Sequence, residues 1–165
     1  LEVINPWHFR AGIAPLLAAR REKKRVLLAE VVAHIKHFGQ GQEVVLVEGA
    51  GGLLSPLGEG FNSRDLLVRL RAKALVVALN RLGVVNHLLL TLEALPPLIR
   101  AEAQIVLMSL RKADAASRSN LDLLRGLLPG QAIGVLPWLA KRGLDSSHEP
   151  QKNVLITKVL RALTP

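Results

Sequence analysis

The sequence contains no cysteine, which excludes a disulfide framework and any thiolate metal site. Aromatic side chains are almost as scarce, with three Phe, two Trp and no Tyr among 165 residues. There is thus no aromatic row on which single-stranded bases would stack. Acidic residues are outnumbered, 13 against 22 basic ones for a net charge of +9, and charge alone invites a nucleic-acid or acidic-membrane binder. The lack of aromatics and of any recognition motif weighs against nucleic acid as a partner. The densest basic stretch, Arg20, Arg21, Lys23, Lys24 and Arg25, reads as a solvated turn or helix end. Long apolar runs are missing too: Lys, Arg, Asn or Glu interrupts each one before the ~18 residues that a bilayer span needs. Nothing at the start has the apolar stretch and cleavage site of a secretory signal. The expectation is a soluble, cytoplasmic protein with no membrane partner.

What is present is apolar surface. Half the residues are hydrophobic and 21% are charged, enough to fold around a core, and the length suits a single domain over 1–165. The chain starts at Leu1 and soon enters a turn-like Asn5-Pro6, so the sequence reads as the tail of a longer protein. Leu28, Val31, Val32, Ile35 and Phe38 repeat at helical spacing, with Gly39 and Gly41 closing the helix. Glu43-Val44-Val45-Leu46-Val47-Glu48 reads as a buried strand stopped by Gly49-Ala50-Gly51-Gly52. Asn62 or Ser63 caps a helix to about Arg71, and 74–79 is a second buried strand. Gly83 opens a helix that Pro96-Pro97 stops, and 104–109 is a third strand. Ser119 caps a helix over 120–128, 133–136 is a fourth strand, and 153–163 is a last helix. Strands apolar at every position and alternating with helices predict an α/β fold, a mostly parallel sheet with helices on both faces.

In such sheets ligands bind beyond the carboxyl ends of the strands, here residues 48–52, 80–86, 109–114 and 137–139. An acidic residue ending a buried strand is the arrangement with which nucleotide hydrolases hold Mg²⁺, and Glu48 has that position. The glycines that follow leave backbone N–H groups open to an anion. Taken alone, the same residues equally describe a strand-to-loop turn with Glu48 merely solvated.

The run Val47-Glu48-Gly49-Ala50-Gly51-Gly52-Leu53-Leu54-Ser55-Pro56-Leu57, followed by Asp65-Leu66, resembles the central motif of the dethiobiotin synthetases. Leu82-Gly83-Val84-Val85-Asn86-His87-Leu88-Leu89-Leu90-Thr91 is similar to that family's Leu-Gly-x-Ile-Asn-His-x-x-Leu-Thr helix start. Gly134-Val135-Leu136-Pro137-Trp138-Leu139 resembles its nucleotide-side loop, and Ile4-Asn5-Pro6-Trp7 with Ala14-Pro15 fits its Asn-Pro-Tyr and Ser-Pro segment. The matches occur in family order along nearly the whole chain.

The resemblance implies a P-loop NTPase-like three-layer architecture and a biotin-pathway ligase that uses 7,8-diaminononanoate, CO₂ and ATP with Mg²⁺. By motif match Glu48 is the Mg²⁺ ligand, Glu48, Gly49, Ala50 and Gly51 face the phosphates, and Pro137, Trp138 and Leu139 line the adenine side. Leu82, Gly83, Val84 and Asn86 receive the substrate's carboxylate from the neighbouring subunit, which implies a homodimer. The family's Gly-x-x-x-x-Gly-Lys-Thr loop, its catalytic lysine and an upstream Mg²⁺-binding Asp have no counterpart in these residues. No catalytic residue is therefore assigned here, and the chain by itself is expected not to close the ring. The Asn that reads adenine is replaced by Met108 or Ser109, a Pro and a Ser of the entry loop by Gly12 and Ala14, and a late acidic contact falls near Leu144. The rival reading is a non-catalytic homologue, a dimeric binding or structural module.

His34, His37 and Glu30 share one helix face and offer metal-ligating atoms, but one helix turn supplies too few ligands and the surface reading is preferred. His8 and His87 lack triad partners, and His148 lies in a polar stretch, 145–149, that reads as loop.

Overall fold

Proline at the first position of a helix loses nothing, because that N–H has no helical acceptor. Pro15 starts α1 (Pro15–Arg21) in this way in a computed structural model of the protein, which describes residues 4–138. The described chain divides into two compact units on either side of the Ala72–Lys73 junction.

In the first unit α1 is followed by α2 (Leu28–Phe38), the two-stranded hairpin β1 (Pro56–Gly58) and β2 (Phe61–Asn62), and α3 (Ser63–Leu70). Its core is Ala19, Val26 and Phe61, with Trp7, Phe9, Leu28, Val31 and Leu57 packed around them. A Cβ on Gly58 would lie 2.4 Å from both the Phe61 ring and the Val26 carbonyl, so only glycine lets the hairpin approach this core. Arg20 grips Glu59 with two parallel bonds of 3.0 and 2.8 Å, tying α1 to the hairpin turn. The basic stretch at residues 20–25 is thus partly a helix end, Arg20 and Arg21 forming the last turn of α1. At α3 the Asn62 side chain accepts the Asp65 N–H and the Asp65 carboxylate accepts the Asn62 N–H, a complete capping box.

The second unit is a three-stranded parallel sheet in the order β3 (Leu75–Leu79), β4 (Gln104–Met108), β5 (Ala132–Leu136). The connections carry α4 (Val84–Ala94) and α5 (Pro97–Glu102) between the first pair and α6 (Ala115–Leu127) between the second, as parallel pairing requires. Ile105, Val106 and Leu107 are all buried, so β4 is covered on both faces, and Leu88, Leu92 and Leu124 from α4 and α6 complete the core. Strands alternating with helices and pairing in parallel make the class α/β.

Four expectations are corrected. Residues 43–48 form no strand; all six are exposed, Val44 and Leu46 by more than four fifths. A strand is held by its neighbour's hydrogen bonds, and an apolar β-branched run without a paired neighbour is only an extended segment. Val45 leans instead on the end of α2, its Cγ2 lying 3.1 Å from where a Cβ on Gly39 would be. Second, α6 begins at Ala115, not at Asn120: Asp114 accepts the Ser117 N–H at 2.6 Å while Ser117 Oγ accepts the Asp114 N–H at 2.9 Å, and Ser119 lies inside the helix. Third, Pro96-Pro97 does end one helix but also starts α5, with proline at its first position. Fourth, β3 is not a buried strand: Leu75, Val77 and Leu79, which alternate onto one face of this edge strand, are all exposed. The helix expected over 153–163 lies outside the described residues.

The α6 cap carries a pH dependence. The Ser117 N–H, then the Ser117 hydroxyl, hold the Asp114 carboxylate below its ordinary value of 3.8. A depressed folded-state value means stabilisation present above 3.8 and lost as pH falls through the lower folded value. An acid titration followed by amide NMR is expected to show the Ser117 N–H losing protection in that window, and Asp114→Asn is expected to abolish the step.

Candidate functional site

Residues 49–55 form a turn closed on itself: the Gly52 N–H donates to Ser55 Oγ at 3.0 Å and the Ser55 N–H to the Gly52 carbonyl at 2.9 Å. The Arg64 N–H, in the first turn of α3, donates to the Leu53 carbonyl at 3.2 Å, so the turn is anchored to that helix. Gly51 has φ +84°, and a Cβ there would sit 2.8 Å from Ser55 Oγ. At Gly49 a Cβ would sit 2.6 Å from Ser63 Oγ, a buried hydroxyl with no hydrogen-bond partner. Glycine is therefore needed at 49 for close approach and at 51 for backbone conformation. The result is a Cβ-free stretch of main chain, exposed from Glu48 through Gly52, beside an unsatisfied hydroxyl. Glu48 is exposed but stands in the extended segment and not at a strand end. The motif's Asp65 is engaged in capping α3.

Glu48 is a solitary carboxylate: among the described residues no three His, Cys, Asp or Glu side chains converge. Mg²⁺ is held by one or two carboxylates together with substrate phosphates and water, whereas zinc needs a closed set of protein ligands. The donor set fits Mg²⁺ arriving with a nucleotide. His34 does not join it. Its Nε2 bonds to the Ile4 carbonyl at 3.1 Å and its ring contacts those of Trp7 and Phe38, so His34 is half-buried in local packing, and only His37 of the pair is exposed as the surface reading expects.

In the second unit the carboxyl ends of the three strands are stitched together. The Asn80 N–H donates to the Met108 carbonyl and the Ser109 N–H to the Leu136 carbonyl, both at 2.8 Å. The segments that open at residues 80, 109 and 137 thus leave the sheet along one edge. Gly83 has φ +90° and is the N-cap of α4, with no side chain capping that terminus. The Val84 N–H is used within the turn, bonding to the Arg81 carbonyl at 3.1 Å, and its side chain is buried. The first-turn donors open to an anion are those of Val85 and Asn86. Leu82 is exposed, as are Asn86 and Trp138, while Pro137 is half-buried. Leu139 lies outside the described residues. Met108 and Ser109, the two candidates for the adenine-reading position, both sit at the carboxyl end of β4.

Sequence reading missed a buried amide pair beneath this edge. Asn120 Nδ2 donates to Asn80 Oδ1 at 2.9 Å and to the Arg81 carbonyl at 3.2 Å, and Asn80 Nδ2 donates to the Ser117 carbonyl at 2.8 Å. From the sequence Asn80 belongs only to the ligand-side segment 80–86. The available signal was an Asn at a core-facing position of α6, four residues before the buried Leu124.

The second unit is a parallel α/β sheet of the class in which ligands bind beyond the carboxyl ends of the strands. The family model for the AAA domain matches residues 1–143, all of the first unit and most of the second. The chain is 32% identical over 140 residues to the ATP-dependent dethiobiotin synthetase BioD of Bacillus subtilis (strain 168), covering 84% of this chain and 61% of that protein. It is 42% identical over 139 residues to the enzyme of the same name from Anaeromyxobacter sp. (strain K), covering 84% and 62%. With the one from Anaeromyxobacter sp. (strain Fw109-5) it shares 48% identity over 95 residues, 58% of this chain and 43% of that one. The chain belongs to this AAA-domain family and is similar to the proteins named as dethiobiotin synthetases. It spans about six-tenths or less of the length of these curated relatives.

Proposed function

We propose that the gene product containing these residues is an ATP-dependent ligase of biotin synthesis that closes the ureido ring of dethiobiotin from 7,8-diaminononanoate and CO₂. The observation that carries the proposal is the glycine turn at residues 49–52 beside the solitary carboxylate of Glu48, in a chain similar to proteins named for that activity. In this reading a substrate amine takes up CO₂ to give a carbamate, the γ-phosphoryl group of ATP converts it to a mixed anhydride, and the second amine displaces phosphate. Such a sequence depends on positioning and charge neutralisation more than on covalent participation by the protein. Glu48 would hold Mg²⁺, which when bound offsets the charge of the phosphates. The exposed main chain of Gly49, Ala50 and Gly51 lets phosphate oxygens reach backbone donors, and Pro137 and Trp138, with Leu139 after them, would border the base. Leu82, Gly83, Val84 and Asn86 would bring the α4 terminus to the substrate carboxylate, with Val85 and Asn86 donating.

The family match runs through both units, which supports reading them as parts of one domain. Sharing of the substrate between two copies of the chain, and hence a homodimer, belongs to the same proposal. The cytoplasm, where ATP is held, is the compartment it requires; no described helix is long and apolar enough to cross a membrane. The direct test supplies the full-length gene product with diaminononanoate, ¹³C-bicarbonate and MgATP and looks for labelled dethiobiotin by mass spectrometry. Label in the ureido carbon, with one phosphate released per ring, is the expected result. Nucleotide and diamine binding without turnover would establish the non-catalytic module instead.

A further inference from the structure

Among the described residues the polar residues buried as a whole are Asn80 and Asn120, and they touch each other. We infer that this amide pair is a positioning device for the substrate-carboxylate end of the site; the inference rests on the reading of the α4 terminus given above. Both amide orientations are fixed by their partners, because each Nδ2 faces a carbonyl oxygen: that of Ser117 for Asn80, and those of the Asn80 side chain and Arg81 for Asn120. The Arg81 carbonyl is the hub. It accepts from Asn120 Nδ2 at 3.2 Å and from the Val84 N–H at 3.1 Å, closing the turn in which Gly83 adopts φ +90°. One end of that turn is pinned to the sheet by the Asn80 N–H on Met108, and the other enters α4, so Asn120 supplies the third point of attachment, from α6. An apolar pair of similar volume would fill this space without desolvating two amides, and it would leave the Arg81 carbonyl held by the Val84 N–H alone. The amides therefore fix backbone direction at residues 81–83, and with it where the Val85 and Asn86 donors point. Asn80 and Asn120 touch no reacting atom in this scheme and act through the loop.

The test uses the full-length gene product and the variants Asn120→Ala, Asn120→Ser, which keeps a short donor, and Asn80→Ala with Asn120→Ala. Amide exchange is read at residues 82–86 against β4, and KM is read separately for diaminononanoate and ATP. Asn120→Ala is expected to speed exchange at 82–86 by about tenfold with β4 unchanged, and to raise KM for diaminononanoate about tenfold with KM for ATP and kcat within about twofold. Asn120→Ser is expected to recover part of the loss, and the double variant to be no worse than the single one, since the pair acts as a unit. Unchanged exchange at 82–86, or an unchanged KM for the diamine, overturns the inference. So does an equal rise in both KM values, which indicates general loosening. Calorimetric titration of the wild-type protein with diaminononanoate comes first: absence of binding there overturns the reading of the site itself, whereas wild-type binding with an unaltered variant overturns only the role of the pair.

Discussion

Glu48→Gln in the full-length gene product is expected to lower kcat about 100-fold or more at a fixed, limiting Mg²⁺ concentration, close to 3 kcal/mol of transition-state stabilisation. The side chain is exposed and makes no ion pair with any described residue. An amide of the same size therefore leaves the packing of the first unit as it is, and the thermal midpoint is expected to stay within about a degree. What changes is charge. A neutral carbonyl holds a hard divalent cation weakly, so the loss should be largest when Mg²⁺ is scarce and should shrink as Mg²⁺ rises. Equal activity of variant and wild type at limiting Mg²⁺ would show that Glu48 is not the ligand. The comparison is made by phosphate release over a Mg²⁺ series, with circular dichroism reporting on the fold.

Gly83→Glu should abolish turnover for two reasons that can be separated. Its φ of +90° suits glycine and strains a residue with a Cβ, and a carboxylate placed at the α4 terminus repels the substrate's own carboxylate. Space is not the obstacle, since the nearest atom to a Cβ there is His87 Cε1 at 4.0 Å. Gly83→Asn, which tolerates positive φ and adds no charge, is expected to keep a measurable fraction of activity. If one site takes Glu48 from one copy and Gly83 from its partner, a mixture of the two inactive variants regains function. With random exchange half of the dimers are mixed and each has one intact site, so an equimolar mixture should return about a quarter of wild-type activity. Exchange demonstrated by native mass spectrometry with no return of activity would refute the shared site.

Where sequence and structure agree, the determinant is local. The α2 periodicity ends at Gly39, Asn62 with Asp65 caps α3, Gly83 opens α4, and the three apolar runs become β3, β4 and β5 within a residue or so of their expected limits. Each rests on residues a few positions apart, and neighbouring spacing is what a sequence displays. Other elements rest on equally local signals: Asp114 with Ser117 is as plain a capping box as Asn62 with Asp65, and Pro15 and Pro97 start helices by the rule that makes proline stop others.

The sequence by itself determined the α/β class, the glycine turn after Glu48 and the helix start at Gly83, because backbone conformation at those positions is written into single residue types. It did not determine whether residues 43–48 are a strand, since pairing depends on a neighbour that no local pattern specifies. Nor did it show that the Val84 N–H is spent on Arg81, or that Asn120 reaches 39 positions back to the same carbonyl. Only the tertiary structure decided those, because a buried amide acquires its role from the partners that folding places against it, and those partners lie on another helix.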